Sequence, residues 1–181
     1  MAFWKIDSAH SEIKFKVKHL VISTVTGSFT KFSGSVEAEQ PDFSDAQIRF
    51  DADVESINTH NEQRDGHLKS PDFFDAANHP KLSFISKSFV KKNDGEFVLA
   101  GDMTLKGVTK EVKLNAVYNG TVMGFDGEMA AFEITGKINR QEFGLTFNAV
   151  TETGGVVVSD EVKLDILVEL KKAVVEQLKA A

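Results

Sequence analysis

A chain of 181 residues has room for one hydrophobic core and not for two ordinary domains. Its 27 acidic and 21 basic residues leave a formal net charge of −6 with no long run of either sign, which argues against nucleic acid as a partner. The absence of cysteine excludes disulfides, thiolate metal sites and a cysteine nucleophile.

Met1-Ala2-Phe3-Trp4-Lys5-Ile6-Asp7 has no basic segment leading into an apolar run, so it is unlike a secretion signal. A cytoplasmic location is expected, or a periplasmic one where an export signal has been removed. No later stretch stays apolar for the roughly 18 residues of a membrane helix, so a membrane-spanning chain is not expected. The clearest local signal is alternation with a period of two in Glu12-Ile13-Lys14-Phe15-Lys16-Val17-Lys18. Successive strand residues point to opposite faces, so this is a strand with one dry and one wet face, as antiparallel sheets have. A strand is also predicted over 28–39. The alternation returns where Ala46, Ile48, Phe50, Ala52 and Val54 interleave with Gln47, Arg49, Asp51, Asp53 and Glu55.

The segment 60–78 loses the period of two and is mostly polar. A short helix is predicted there, bounded by Ser70-Pro71 because proline disfavours helical geometry in the residue before it. Further strands are predicted over 81–91, 95–106, 107–118 and 128–140. Asn93-Asp94-Gly95 and Lys106-Gly107 supply tight turns, since glycine accepts positive φ. Near the end Val162, Leu164, Ile166 and Val168 alternate with Glu161, Lys163 and Asp165, with Leu167 left on the outer face. The domain is expected to run over 1–171 and the tail over 172–181 to form a short helical turn on Val174, Val175 and Leu178.

Eight antiparallel strands leave exposed edges unless the sheet closes, and an eight-stranded barrel is either filled by side chains or holds one small ligand. The predicted fold is all-β: an eight-stranded antiparallel barrel with one short helical segment. The 15 phenylalanines, against one tyrosine and one tryptophan, supply a solid core or a pocket lining equally well.

Several motifs separate those readings. Trp4-Lys5-Ile6-Asp7-Ser8-Ala9-His10-Ser11, then Phe15-Lys16-Val17-Lys18-His19-Leu20 and Val25-Thr26-Gly27-Ser28-Phe29, resemble the opening of the YceI family of lipid-binding proteins. Ile57-Asn58-Thr59, Arg64-Asp65-Gly66-His67-Leu68, Asp72-Phe73-Phe74-Asp75 and His79-Pro80 resemble its middle signature. Gly101 to Thr109, Ile138 to Leu145 and Val158 to Val162 continue the likeness, which covers about 4–170 in the correct order. The resemblance implies an extended, lipocalin-like barrel whose interior holds the hydrocarbon chain of a polyisoprenoid, quinone or fatty amide. It also implies a homodimer. Many family members carry an export signal, which is not expected from the Met1–Asp7 start.

On that reading the ligand-binding residues are Phe15, Val17 and His19 on the first alternating strand, Phe29 and Phe32 after it, then Phe50 and Val54. Phe74 joins them from the helical segment, followed by Phe84, Leu99, Met103, Leu114, Phe132, Ile134 and Phe147. Selectivity would come from a few polar groups near the mouth, and Arg64, His67 and Arg140 are the candidate head-group contacts. Each has a structural alternative: Arg64 and His67 pinning the helical segment through Asp65 and Asp72, Arg140 holding a corner, and His19 sitting as a satisfied core histidine. No cofactor beyond the bound lipid and no metal is expected, since the histidines at 10, 19, 60, 67 and 79 lack zinc-motif spacing. The serines lie in no nucleophile elbow. The expected function is non-catalytic carriage of a long-chain lipid, a polyisoprenoid or isoprenoid quinone. The alternatives are a fatty acid or fatty amide carrier, and an isomerase or hydrolase using His19, His60 or His67 as general base.

Overall fold

Closure of the sheet is achieved by broken strands. In the computed structural model, which describes residues 1–152 and 155–174, β1 (Ala2–Ile6) and β2 (Glu12–His19) share one barrel position, separated by a single 3-10 turn at Ser8–His10. β3 (Ser23–Phe29) and β4 (Phe32–Ala38) return beside them, β3 on β2 and β4 on β1. β5 (Gln47–Asp53) and the two-residue β6 (Ile57–Asn58) make the third position, against β4 and β3. After helix α1 (Glu62–Lys69) come β7 (Lys81–Asn93), β8 (Glu96–Leu105), β9 (Val108–Gly124), β10 (Gly127–Asn139) and β11 (Val158–Lys172), each antiparallel to the one before within the run β7 to β11. β5 pairs with β7, and β11 pairs with β2 over most of its length and with β1 at its end. The result is a closed eight-stranded antiparallel barrel with, among the described residues, one short α-helix, as the alternation and the family resemblance lead one to expect.

Four local expectations change. The strand expected over 28–39 is divided at Thr30-Lys31, and β3 begins five residues earlier, at Ser23. β1, with too few residues to show a period, was not anticipated as a strand. The helix expected over 60–78 is confined to Glu62–Lys69. Asn61 caps its start by accepting from the Arg64 amide, and Ser70, extended at ψ 167° before Pro71, ends it; turns follow to His79. Of the helical turn expected over 172–181, Lys172 is the last residue of β11, and residues 175–181 lie outside the described residues. The two turns read from glycine hold, with Gly95 at φ 72° and Lys106 and Gly107 at φ 50° and 74°.

The break between β1 and β2 is stitched by charge. Asp7 accepts from the Ala9 amide and meets His10 Nδ1 at 2.8 Å and Lys171 Nζ at 2.9 Å, while its own amide donates to the Glu169 carbonyl. Lys171 and His10 together pull the Asp7 carboxyl down to about 2, and Asp7 in turn raises the pKa of both partners. A strand interruption that would leave unpaired backbone is thus tied to β11. On the wet face, ion pairs join neighbouring strands, for example Lys16 with Asp165 and Lys137 with Glu161. No helix among the described residues is long and apolar enough to cross a membrane.

Candidate functional site: an apolar cavity in the barrel

The two ends of the barrel are built differently. At the end where β4, β7 and β9 finish, the loop between β4 and β5 turns Phe43 inward. Asp45 holds that loop by accepting from the amides of Glu39 and Gln40. Phe43 is 2 % exposed and its ring centroid lies 5.1 Å from Trp4, 5.5 Å from Tyr118 and 5.1 Å from Phe132. Phe89 stacks on Phe97 at 4.3 Å beside this group. Aromatic rings in tilted and edge-to-face contact fill space efficiently, so this end is a solid plug.

At the opposite end the barrel is capped by the α1 segment and by the chain after β10. Leu68, Phe73 and Phe74 point into the barrel from the α1 segment, with Phe74 edge-on to Phe29 at 6.0 Å. Polar contacts hold the cap. Arg64 donates from Nε to Thr59 Oγ1 and from Nη2 to the Thr59 carbonyl, Asp65 accepts from the Thr59 amide and hydroxyl, and His67 meets Asp72 at 2.9 Å. Lys106, from the β8–β9 turn, donates to the Pro71 carbonyl at 2.8 Å. Arg140 lies in the 3-10 turn ending β10. It is 3 % exposed and donates to four carbonyls, those of Leu145, Phe147, Val158 and Ser159, with Asp160 at 3.6 Å. Burial lowers the guanidinium pKa, and Asp160 opposes that shift.

Between plug and cap lies a cavity of about 210 Å³ whose wall is wholly apolar; Lys14 and Arg140 border it with carbon only. The inward side chains in its middle, among them Phe15, Val17, Ile48, Phe50, Ile134, Ile138, Leu164 and Ile166, are only half-buried although their neighbours on the outer face are charged. All of them line the cavity. Glycine keeps it hollow. A Cβ on Gly27 would stand 2.3 Å from Phe15 Cζ, and one on Gly136 2.4 Å from Leu114 Cδ2. Phe15 and Leu114 therefore lie over neighbouring strands, along the wall, where a larger residue at 27 or 136 would drive them toward the axis.

Of the sequence-predicted residues, Phe15, Val17, Phe29, Phe50, Phe74, Phe84, Leu99, Met103, Leu114, Phe132, Ile134 and Arg140 border the cavity. The others stand elsewhere. His19 is half-buried at the end of β2, paired in the ladder with Ser23 and Val158, and Phe32 leans on Phe50 with centroids 6.1 Å apart. Val54 leaves the strand alternation because β5 ends at Asp53; it sits buried in a 3-10 turn and donates its amide to Pro80. Phe147 packs on Phe73 and His67 on the cap. Arg64 and His67 are pins of that cap, and Arg140, although it touches the cavity, has its donors taken up by carbonyls. The head-group role considered for these three has no support in their geometry. Residues missed include Phe43 and Phe73, which lie in turns without periodicity, and Leu68, an isolated apolar residue in the polar helix α1. Ile48, Val162, Leu164 and Ile166 were legible from the same alternation that exposed their neighbours.

None of the five histidines borders the cavity. Among the described residues, Asp7, His10 and Glu169 form one group close enough to share a cation, but the Lys171 ammonium already sits on Asp7.

A closed antiparallel barrel with charged outer faces and an apolar hollow belongs to the class of ligand-enclosing β-barrels. Residues 4–170 match the YceI-like domain, and the chain belongs to the YceI-like family. A UPF0312 protein from Staphylococcus aureus strain USA300 is 39 % identical over 171 residues, covering 93 % of this chain and 97 % of that one. The crystal structure of the Campylobacter jejuni YCEI protein superposes with a TM-score of 0.74 at 33 % identity, covering 87 % and 90 % of the two chains. The fold is shared further with Burkholderia cenocepacia BcnA (TM-score 0.77, 21 % identity, 91 % and 98 % covered). It is shared too with a polyisoprenoid binding domain from Saccharophagus degradans (TM-score 0.70, 14 % identity, 94 % and 98 % covered).

Proposed function

We propose that the barrel binds and carries a long-chain amphiphilic lipid, a polyisoprenoid or isoprenoid quinone, without chemical change. The observation that carries this reading is the wholly apolar cavity enclosed by strands whose outer faces are charged. Membership of the YceI-like family supports it, as does a shared fold with a domain described as polyisoprenoid binding. Each methylene transferred from water contributes roughly 0.8 kcal/mol, so a tail of a few isoprene units offers several kcal/mol before ordering costs are subtracted. At about 210 Å³ the cavity is smaller than ordinary ligand sites of roughly 300–1,000 Å³. A long tail must therefore displace wall side chains or emerge at an end. Met103 on the wall gives an adaptable, polarisable surface for that adjustment. The unit proposed to do this is 1–171, acting as a homodimer in the cytoplasm.

Denaturing extraction of the purified protein followed by mass spectrometry tests the reading. An intact isoprenoid in near-stoichiometric amount is expected. A fatty acid or fatty amide would move the assignment to that ligand class. Time-dependent conversion of an added amphiphile, abolished by substituting His19, His60 or His67, would replace carriage with catalysis, and an extract with no lipid would leave a filled, non-carrying barrel.

A further inference from the structure

The two halves of the cap are held in different ways. The half that follows β10 is tied to β11 by the buried Arg140, whose guanidinium donates to carbonyls on both segments. Moving that half would strand a buried cation, which is costly. The other half, residues 61–79 around α1, is self-contained. Among the described residues its backbone hydrogen bonds all close within it, from the Asp65 amide donating to Asn61 near its start to the His79 amide donating to Asp75 at its end. Ladder pairing resumes only beyond it, at Lys81. Such a unit can swing without breaking a rung of the barrel.

Polar ties gather at its root, where Arg64 and Asp65 bind Thr59 and where Lys69 meets Glu55 at 3.5 Å on the surface. His60, at φ 60°, turns the chain into the unit through left-handed backbone that a non-glycine residue adopts at a cost. Away from the root stands Lys106, in the β8–β9 turn. It donates to the Pro71 carbonyl at 2.8 Å and to the Gly144 carbonyl at 3.4 Å, so its ammonium joins the self-contained half to the anchored half. Lys106 has φ 50°, at a hairpin position where asparagine or glycine is the ordinary choice. A strained site thus carries a long amine. The unit also rests on rings and a turn: His67 and Phe73 on Phe147, Phe74 on Phe29, and His79 against Gly107, where a Cβ would stand 2.9 Å from the imidazole.

We propose that residues 61–79 are the lid of the cavity, moving as one body about Thr59-His60, and that Lys106 is its latch. Opening withdraws Leu68, Phe73 and Phe74 from the barrel and gives a lipid tail a way in that the aromatic plug at the other end denies. What enters rests on the lipid-carrying reading; the movement of the lid does not.

The chain has no cysteine, so single thiols report opening without any ligand. Ile13→Cys places one on the cavity wall at a position 7 % exposed, beside Phe29 under the lid, and Ala130→Cys places one at a position 2 % exposed near the plug. In lipid-free protein, Lys106→Met should speed modification of Ile13→Cys by a small disulfide reagent roughly tenfold, the effect of losing one charge-assisted hydrogen bond, and leave Ala130→Cys at its original rate. Lys110→Met, exposed on the same hairpin, should change neither. Without the added thiols, Lys106→Met should speed uptake and release of a fluorescent prenyl probe by a similar factor. The probe's Kd should stay within about twofold, because the latch is lost from the empty and the filled barrel alike. Circular dichroism confirms folding. Unchanged modification of Ile13→Cys, or an equal rise at Ala130→Cys, overturns the lid. Uptake by Lys106→Met at the parent's rate overturns the lid as the ligand's way in. Faster modification of Ile13→Cys in a protein that takes up no probe keeps the lid and rejects the carriage reading.

Discussion

The plugged end and the hollow middle use the same residue types to opposite effect. Around Phe43, large aromatic residues from β1, β7, β9 and β10 meet a side chain delivered by a loop, and each ring is in contact with at least one other. Around Phe15 and Phe50 the rings rest against the wall and nothing arrives from a loop to fill the axis. The lesson is that alternation fixes which residues face inward, while loops and glycines decide whether inward means packed or hollow.

The comparison is broken most severely at the plug. Phe43→Ala should lower stability by about 3–5 kcal/mol, since the cavity it leaves has no room to collapse. Phe50→Ala, on the half-exposed wall, should lose markedly less, because one side of that ring already faces empty space; urea unfolding of both variants reads the difference. Similar stability losses would mean that the middle is as solid as the plug. Arg140→Met should come next, at about 3 kcal/mol or more, because four carbonyls of the cap lose their donor while little volume changes.

Enlarging residues sharpens the contrast. Ala116→Phe, at a position 1 % exposed near the plug, should destabilise by about 1–3 kcal/mol through overpacking. Val17→Trp should fold with little loss because its indole enters the cavity. Gly27→Ala should act more gently in the same direction, turning the Phe15 ring off the wall and reducing the hollow volume with a small change in melting temperature. A crystal structure of that variant shows whether the ring has moved.

The smallest effect concerns the outer stitch. Because folding lowers the Asp7 pKa from 3.8 to about 2, its contribution is complete above pH 4 and disappears as pH falls toward 2. His10 has the opposite sign: its pKa is raised from 6.5, so its share is complete below that value and is lost as pH rises through its folded-state pKa. Asp7→Asn should melt about 2 °C or less below the parent. The gap should be widest between about pH 4 and 6.5 and vanish near pH 2.

Most of the fold was legible in the sequence because the barrel wall obeys a period of two: Ile13, Phe15, Val17 and Ile48, Phe50, Ala52 face inward as read. Val54 failed because a strand end cannot be seen in alternation, and the helix was overextended because polar turns around Pro71 look like the rest of a polar helix. The plug was illegible. Phe43 sits in a loop, and nothing local to Pro41-Asp42-Phe43-Ser44 says that it reaches Trp4 and Phe132. Arg140 was read as a candidate head-group contact with a corner residue as the alternative, and its four carbonyl partners come from segments that sequence spacing does not bring together.

The most direct test of the hollow barrel is titration of the lipid-stripped protein with a fluorescent prenyl probe, comparing the parent with Val17→Trp. Saturable uptake of about one probe per barrel is expected for the parent, with uptake abolished in the filled variant while its melting temperature is unchanged. Equal uptake by both proteins, or none by the parent, would contradict an apolar interior that receives a lipid tail.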